Sequence, residues 1–253
     1  MLPKTPNNRR LLATMTNEPF QPVRLSYAVP DRAFVTKKLR CLKCTVEVPA
    51  ERCWQWLFHA EAASLRFDAG YDDVPKEKRP IVLGRLRFPK SGGMTLQTNS
   101  IPRAIEAARF FGPLFGPEVV AMRCRVVNRC FAADEGDPNE LLKTLDQNVT
   151  VIDPRAAEVA LRREFKDVRT MQEAEHVAAE RLKQRLASME DVPMVEDFPL
   201  APEEETPGFQ HLTTALQLRL IRAVEHWRGN TDLTLTAIVL RAVEDGARPR
   251  GDH

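Results

Sequence analysis

From Val82 to Asn99 apolar and polar positions alternate, with Val82, Leu86 and Phe88 on one side of a first run and Met94 and Leu96 on one side of a second. A period of two predicts strands over 81–88 and 94–100, and the "PKSGG" between them predicts a tight hairpin whose glycines tolerate unusual backbone angles. The period then changes. Ser100 can cap a helix with Pro102 in its first turn and Ala104, Ile105, Ala108 and Phe111 along one side. "FGPLFGPE" ends that helix, and "VVAMRCRVVNRCF" (119–131) predicts a further strand with Val120, Met122, Cys124 and Val126 as its apolar set. Upstream, 37–49 reads as a strand with Leu42, Cys44, Val46 and Val48 inward. Residues 49–65 read as a helix, from Pro49 in the first turn and the spacing of Trp54, Leu57, Phe58 and Leu65. The expected class is α+β: a split-βαβ (βαββαβ) antiparallel sheet with two helices on one face, followed by an all-helical C-terminal half.

The alternation leaves a second set of residues on the face away from the helices. It comprises Lys43, Thr45 and Glu47, then Arg85 and Arg87, then Thr95, Gln97 and Asn99, then Arg123, Arg125 and Arg129. Antiparallel sheets often carry one solvated polar face, which is the plain reading of such a set. Its composition is unusual for that role, because arginine dominates and Glu47 is its one clear acid. The planar guanidinium fork suits phosphate oxygens and base edges. The candidate nucleic-acid-binding residues are therefore Lys43, Arg85, Arg87, Thr95, Gln97, Asn99, Arg123, Arg125 and Arg129.

Charge divides the chain. Residues 1–133 hold 22 Lys+Arg against 11 Asp+Glu, and residues 134–253 hold 15 against 24. A basic half attracts polyanions, and an acidic half repels them or covers a basic surface. The expected divisions are a flexible N-terminal arm over 1–24, a basic α+β domain over 25–135 and a helical segment over 136–190. An acidic, proline-rich linker follows over 191–208, then a C-terminal helical hairpin over 209–253. The linker reading rests on six acids, four prolines and no bases in 18 residues. Its Phe198 and Leu200 could alternatively dock on a partner. The hairpin would turn at "GNTD", with Trp227 closing the pair.

Catalytic chemistry leaves no mark. There is no G-x-S-x-G, phosphate-binding loop or dinucleotide glycine fingerprint, and the five histidines lack ligand spacing. Cys41 and Cys44 form a CxxC. In a strand, residues three apart point to opposite faces, so packing is their expected role rather than metal binding. No enzyme activity, metal or cofactor is expected. The odd cysteine count suits a reducing cytoplasm, and no run of 18 apolar residues predicts a membrane span.

One stretch, "LRFPKSGGMTLQTNSIPRAIEAARFF", resembles the strand–turn–strand–helix unit of each repeat in the TATA-binding-protein family. Leu86, Phe88, Ser91, Gly92, Met94 and Ala104 through Arg109 carry the likeness. "RVVNRCFAAD" (125–134) is similar to the strand that opens the next repeat, with Asn128 at the position of a DNA-facing Asn, although the alternation here places it on the helix side. The resemblance implies a sheet that meets the DNA minor groove. One copy of the unit is present, so a saddle would need a homodimer. DNA is favoured over RNA, because RNA-recognition sheets stack bases on central aromatics where this chain has Arg, Thr and Gln. The expected function is non-enzymatic nucleic-acid binding, with a second copy or a partner protein engaged through the helical half and no membrane. The alternative is an adaptor or assembly subunit whose basic sheet binds an acidic partner or its own acidic half.

Overall fold

Val23, Leu25 and Tyr27 are buried while Arg24 and Ser26 between them are half-exposed, and that alternation makes Val23–Ala28 the strand β1. The structure is a computed structural model that describes residues 8–62, 75–151, 192–200 and 207–247, with isolated positions between 153 and 177. Helix α1 (Arg32–Arg40) follows β1, and Asp31 caps it by accepting from the Phe34 amide. The strands β2 (Thr45–Val48), β3 (Cys53–Leu57), β4 (Val82–Arg87) and β5 (Met94–Thr98) pair in succession as an antiparallel meander. A short helix, α2 (His59–Ala62), follows β3. Helix α3 (Ile101–Phe115) then leads to β6 (Val120–Val127). After a one-turn helix, α4 (Pro138–Leu141), come β7 (Val149–Val151) and β8 (Val195–Pro199). Helices α5 (Pro207–Trp227) and α6 (Leu235–Ala247) end the described chain.

The strands form one mixed sheet in the order β2-β3-β4-β5-β1-β6-β8-β7, parallel only between β7 and β8. The class is α+β, as expected, but the four-strand βαββαβ order is replaced by a larger one. Three of its departures have local causes.

Residues 49–65, expected as a helix, hold β3 instead. A 3-10 turn over Pro49–Glu51 ends at Arg52, whose φ of 51° breaks any helical continuation. "CWQWL" then extends, with Trp54 and Trp56 on one face and Gln55 on the other, so its apolar residues satisfy a strand as well as a helix. The strand expected over 37–49 is shortened correspondingly, because residues 37–40 complete α1.

The expected arm over 1–24 is, in its described part, built into the fold. Leu11 pairs with Ala132, Leu12 and Phe20 join the 127–131 region, and Glu18 accepts from Arg103 Nε at 2.7 Å. The C-terminal half is not all-helical either, since it supplies β7 and β8. Residues 195–199 of the expected linker lie inside the sheet, almost wholly buried. Their acids are neutralised on both faces: Asp197 meets Arg123 and Arg125, and Glu196 meets Arg219 of α5. The helices expected over 154–190 fall largely outside the described residues.

The core lies between the sheet and α1, α3 and α5. Leu25, Leu86, Leu96 and Cys124 form one row across it, and Phe111, Phe115, Leu212 and Leu216 come from the helices. Trp56 stacks on Phe110 at 6.0 Å and meets Phe111 edge-on at 5.5 Å. Gly84, opposite Trp56, makes room for it: a Cβ there would lie 3.0 Å from the Gln97 carbonyl oxygen and 3.5 Å from the indole. Helices α1, α3 and α5 therefore pack on one side, and the other side of the central strands is left to polar residues.

Candidate nucleic-acid interface

Directly paired residues on neighbouring antiparallel strands share a face, so the register assembles the polar residues into rows. One row runs Gln55–Arg85–Gln97–Arg24–Arg125–Asp197 across six strands. The next runs Arg87–Thr95–Ser26–Arg123. Of the sequence-predicted residues, Arg85, Arg87, Thr95, Gln97, Arg123 and Arg125 lie together in these rows, on the face away from the helices. Asn99 falls one residue beyond the end of β5, where its carbonyl accepts from the Gln21 amide at 2.9 Å.

Two more predicted residues lie outside the rows. Lys43 occupies the turn before β2, exposed to solvent. Arg129 follows the end of β6, where it pairs with Glu135 at 2.5 Å and covers the Phe131 ring at 4.3 Å. Met122, expected inward, is 40% exposed, because the β1–β6 ladder bulges between Ser26 and Tyr27 and displaces it. Asn128 is buried, donating to the Pro193 carbonyl at 2.8 Å and to Glu196 at 3.1 Å.

The arginines divide into two groups. Toward β6 they are engaged within the chain. Asp197 accepts from Arg123 Nε at 2.8 Å and from Arg125 Nη2 at 2.8 Å. Asp146 accepts from Arg24 Nη1 at 2.7 Å and Nη2 at 3.1 Å, in a two-pronged pair, and from Arg125 Nη1 at 3.1 Å. Those bonds hold the Asp146 carboxyl below the ordinary carboxylate range, the Arg24 hydrogen bonds contributing most. Arg24 also reaches the Gln97 side-chain oxygen at 3.0 Å.

Toward β4 the arginines are uncommitted. Among the described residues Arg85 has an ion pair with Glu51, at 3.6 Å, and neither Arg85 nor Arg87 hydrogen-bonds any of them. They line a cleft of about 390 Å³ with Arg24, Glu51, Gln97, Asn139, Leu142, Lys143 and Asp146. Its floor is β4, β5 and β1, and its wall is α4 with the turn that follows it.

Sequence reasoning missed Arg24, Gln55, Asn139, Lys143, Asp146 and Asp197. Arg24 was recoverable, because "VRLSYA" alternates as cleanly as the strands that were read. The acids carried no such signal, since their placement depends on long-range pairing. Among the described residues no three His, Cys, Asp or Glu side chains are grouped to hold a metal, and no helix is long and apolar enough to cross a membrane. No known protein family, curated protein or solved structure matches the chain.

Proposed function

We propose that the protein is a non-enzymatic nucleic-acid-binding protein that uses the open face of its sheet. One observation carries the reading: Arg24, Arg85, Arg87, Arg123 and Arg125 project from three strands onto a single face. Arginine forks at strand spacing suit a line of phosphates, and the neighbouring Thr95, Ser26 and Gln97 supply neutral hydrogen-bonding groups beside them. The stretch at 86–111, within β4, β5 and α3, resembles the TATA-binding-protein unit, which favours DNA. With Asp146 and Asp197 holding the β6 side, first contact falls on Arg85 and Arg87.

The test is duplex binding as a function of salt. Counterion release gives an affinity that falls by orders of magnitude between low and moderate salt when several arginines meet phosphates. Replacing Arg85 and Arg87 together with Ala should weaken binding and flatten that slope, with melting shifted by no more than about 0.5 kcal/mol. Absence of any binding at low salt would remove the reading.

A second reading is favoured by the carboxylates already on the face. Asp146 and Asp197 demonstrate that these arginines accept acidic side chains in good geometry, as an acidic partner protein would supply. An adaptor of that kind would bind an acidic peptide in preference to DNA of equal charge.

A further inference from the structure

We infer that the cleft beside Arg85 and Arg87 is a site for a phosphate monoester, the doubly charged terminal phosphate of a nucleotide or of a strand end. It is concave, and apart from Leu142 its lining is polar or charged, with four cations against two acids. Recognition there must come from charge and hydrogen bonds rather than from stacking of a base.

The available donors fit three oxygens better than two. Arg85 and Arg87 stand two residues apart on β4, on the same face, each with its guanidinium free of hydrogen bonds to described residues. Lys143 adds an ammonium from the opposite wall, exposed and, among the described residues, paired with Glu140. The Gln97 oxygen is turned to Arg24, which leaves its amide N–H groups for a ligand. A monoester at neutral pH brings nearly two charges and three acceptor oxygens to such a set.

The acids define the direction of entry. Glu51 stands beside Arg85 on the β4 side, and Asp146 holds Arg24 on the β1 side. A diester backbone threading the cleft would pass a carboxylate on each side. A terminal phosphate need enter only from the open mouth. The site would serve a free nucleotide as well as a strand, so it goes beyond duplex binding and does not require it.

The experiment titrates the full chain with adenosine 5′-monophosphate and with adenosine by calorimetry. Arg87→Gln and Lys143→Ala are measured in parallel, with melting curves as the check on folding. The monophosphate should bind and adenosine should not, and each substitution should weaken the monophosphate about tenfold, the loss expected for one charge-assisted hydrogen bond. Lys143 is largely exposed, so its variant decides the matter if Arg87→Gln lowers the melting point. Equal affinity for the two ligands, or an affinity unmoved by Lys143→Ala and by a folded Arg87→Gln, would overturn the site. A matched pair of short single strands, with 5′-phosphate and with 5′-hydroxyl ends, then separates the sources. Tighter binding of the phosphorylated strand assigns the site to strand ends, and equal binding assigns it to free nucleotides. If the monophosphate binds while duplex DNA does not, the duplex reading fails and the site stands.

Discussion

Asp197 lies directly across the β6–β8 ladder from Arg125, and its carboxylate holds the guanidinium of Arg125 on one oxygen and of Arg123 on the other. Its chain neighbour Glu196 points to the opposite face and meets Arg219 there. Two adjacent acids thus hold one strand in place by opposite charges on its two faces. The acidic half of the chain closes the β6 edge, so a two-copy sheet joined along β6 is not available to the folded protein.

The Glu196–Arg219 pair should be the more costly of the two to break. Both side chains are nearly buried, at 8% and 11% exposure, and Arg219 also lies 4.4 Å over the Phe198 ring. Arg219→Met keeps the length but strands a buried carboxylate, and urea unfolding should show a loss of about 3–5 kcal/mol. Asp197→Ala should cost less, about 1–3 kcal/mol, because Arg123 and Arg125 remain partly open to water.

Gly84→Ala tests the packing of Trp56. The added methyl would press on the Gln97 backbone carbonyl oxygen, in the paired strand β5. Overpacking of this kind costs about 1–3 kcal/mol, read as a lowered denaturation midpoint with an unchanged slope. A neutral result would mean that the β4–β5 ladder yields locally.

Much of this region was readable beforehand. The alternation at 82–88 and 94–98, and at 123–126 beyond the bulge that displaces Met122, assigned the correct residues to each face, and Ser100 with Pro102 marked the start of α3. What failed was of two kinds. "CWQWL" is apolar at both helical and strand spacing, and only its pairing with β2 and β4 decides between them. "VEDFP" carries the composition of a solvated linker, and its burial depends on arginines that are distant in sequence. Local pattern holds no record of such counter-charges.

Acid should release the β6-side arginines in a predictable direction. The Asp146 carboxyl is more acidic in the folded protein than in the unfolded chain, chiefly because Arg24 hydrogen-bonds its charged form. Its contribution to stability is therefore complete above the ordinary carboxylate range and is lost as pH falls through the depressed value. Carboxyl-detected NMR titration should place its midpoint below that of a free aspartate. Asp146→Asn should make stability less sensitive to acid and strengthen polyanion binding, since Arg24 is released.

Cysteine chemistry should single out one position. Cys41 is exposed, whereas Cys44, Cys53, Cys124 and Cys130 are buried. Burial pushes the Cys130 thiol up to about 12 and raises Cys44, Cys53 and Cys124 as well. Brief alkylation of the native protein at mildly alkaline pH, followed by peptide mass mapping, should find Cys41 modified and the other four intact. Modification of Cys44 at the same rate would show that the turn before β2 opens readily.

β1 sits at the middle of the sheet, yet its neighbours are β5, at 94–98, and β6, at 120–127. A chain emerging from the ribosome therefore holds its central strand with both edges bare until β5 has been made, and with one edge bare until β6 follows. Pairing of that separation is slow to form, and an apolar strand waiting for partners is open to capture by other chains. Arg24 and Ser26, which interrupt "VRLSYA", keep that waiting segment from being a continuous apolar stretch. The arginine that later holds Asp146 thus has an earlier task, guarding a nascent strand during synthesis.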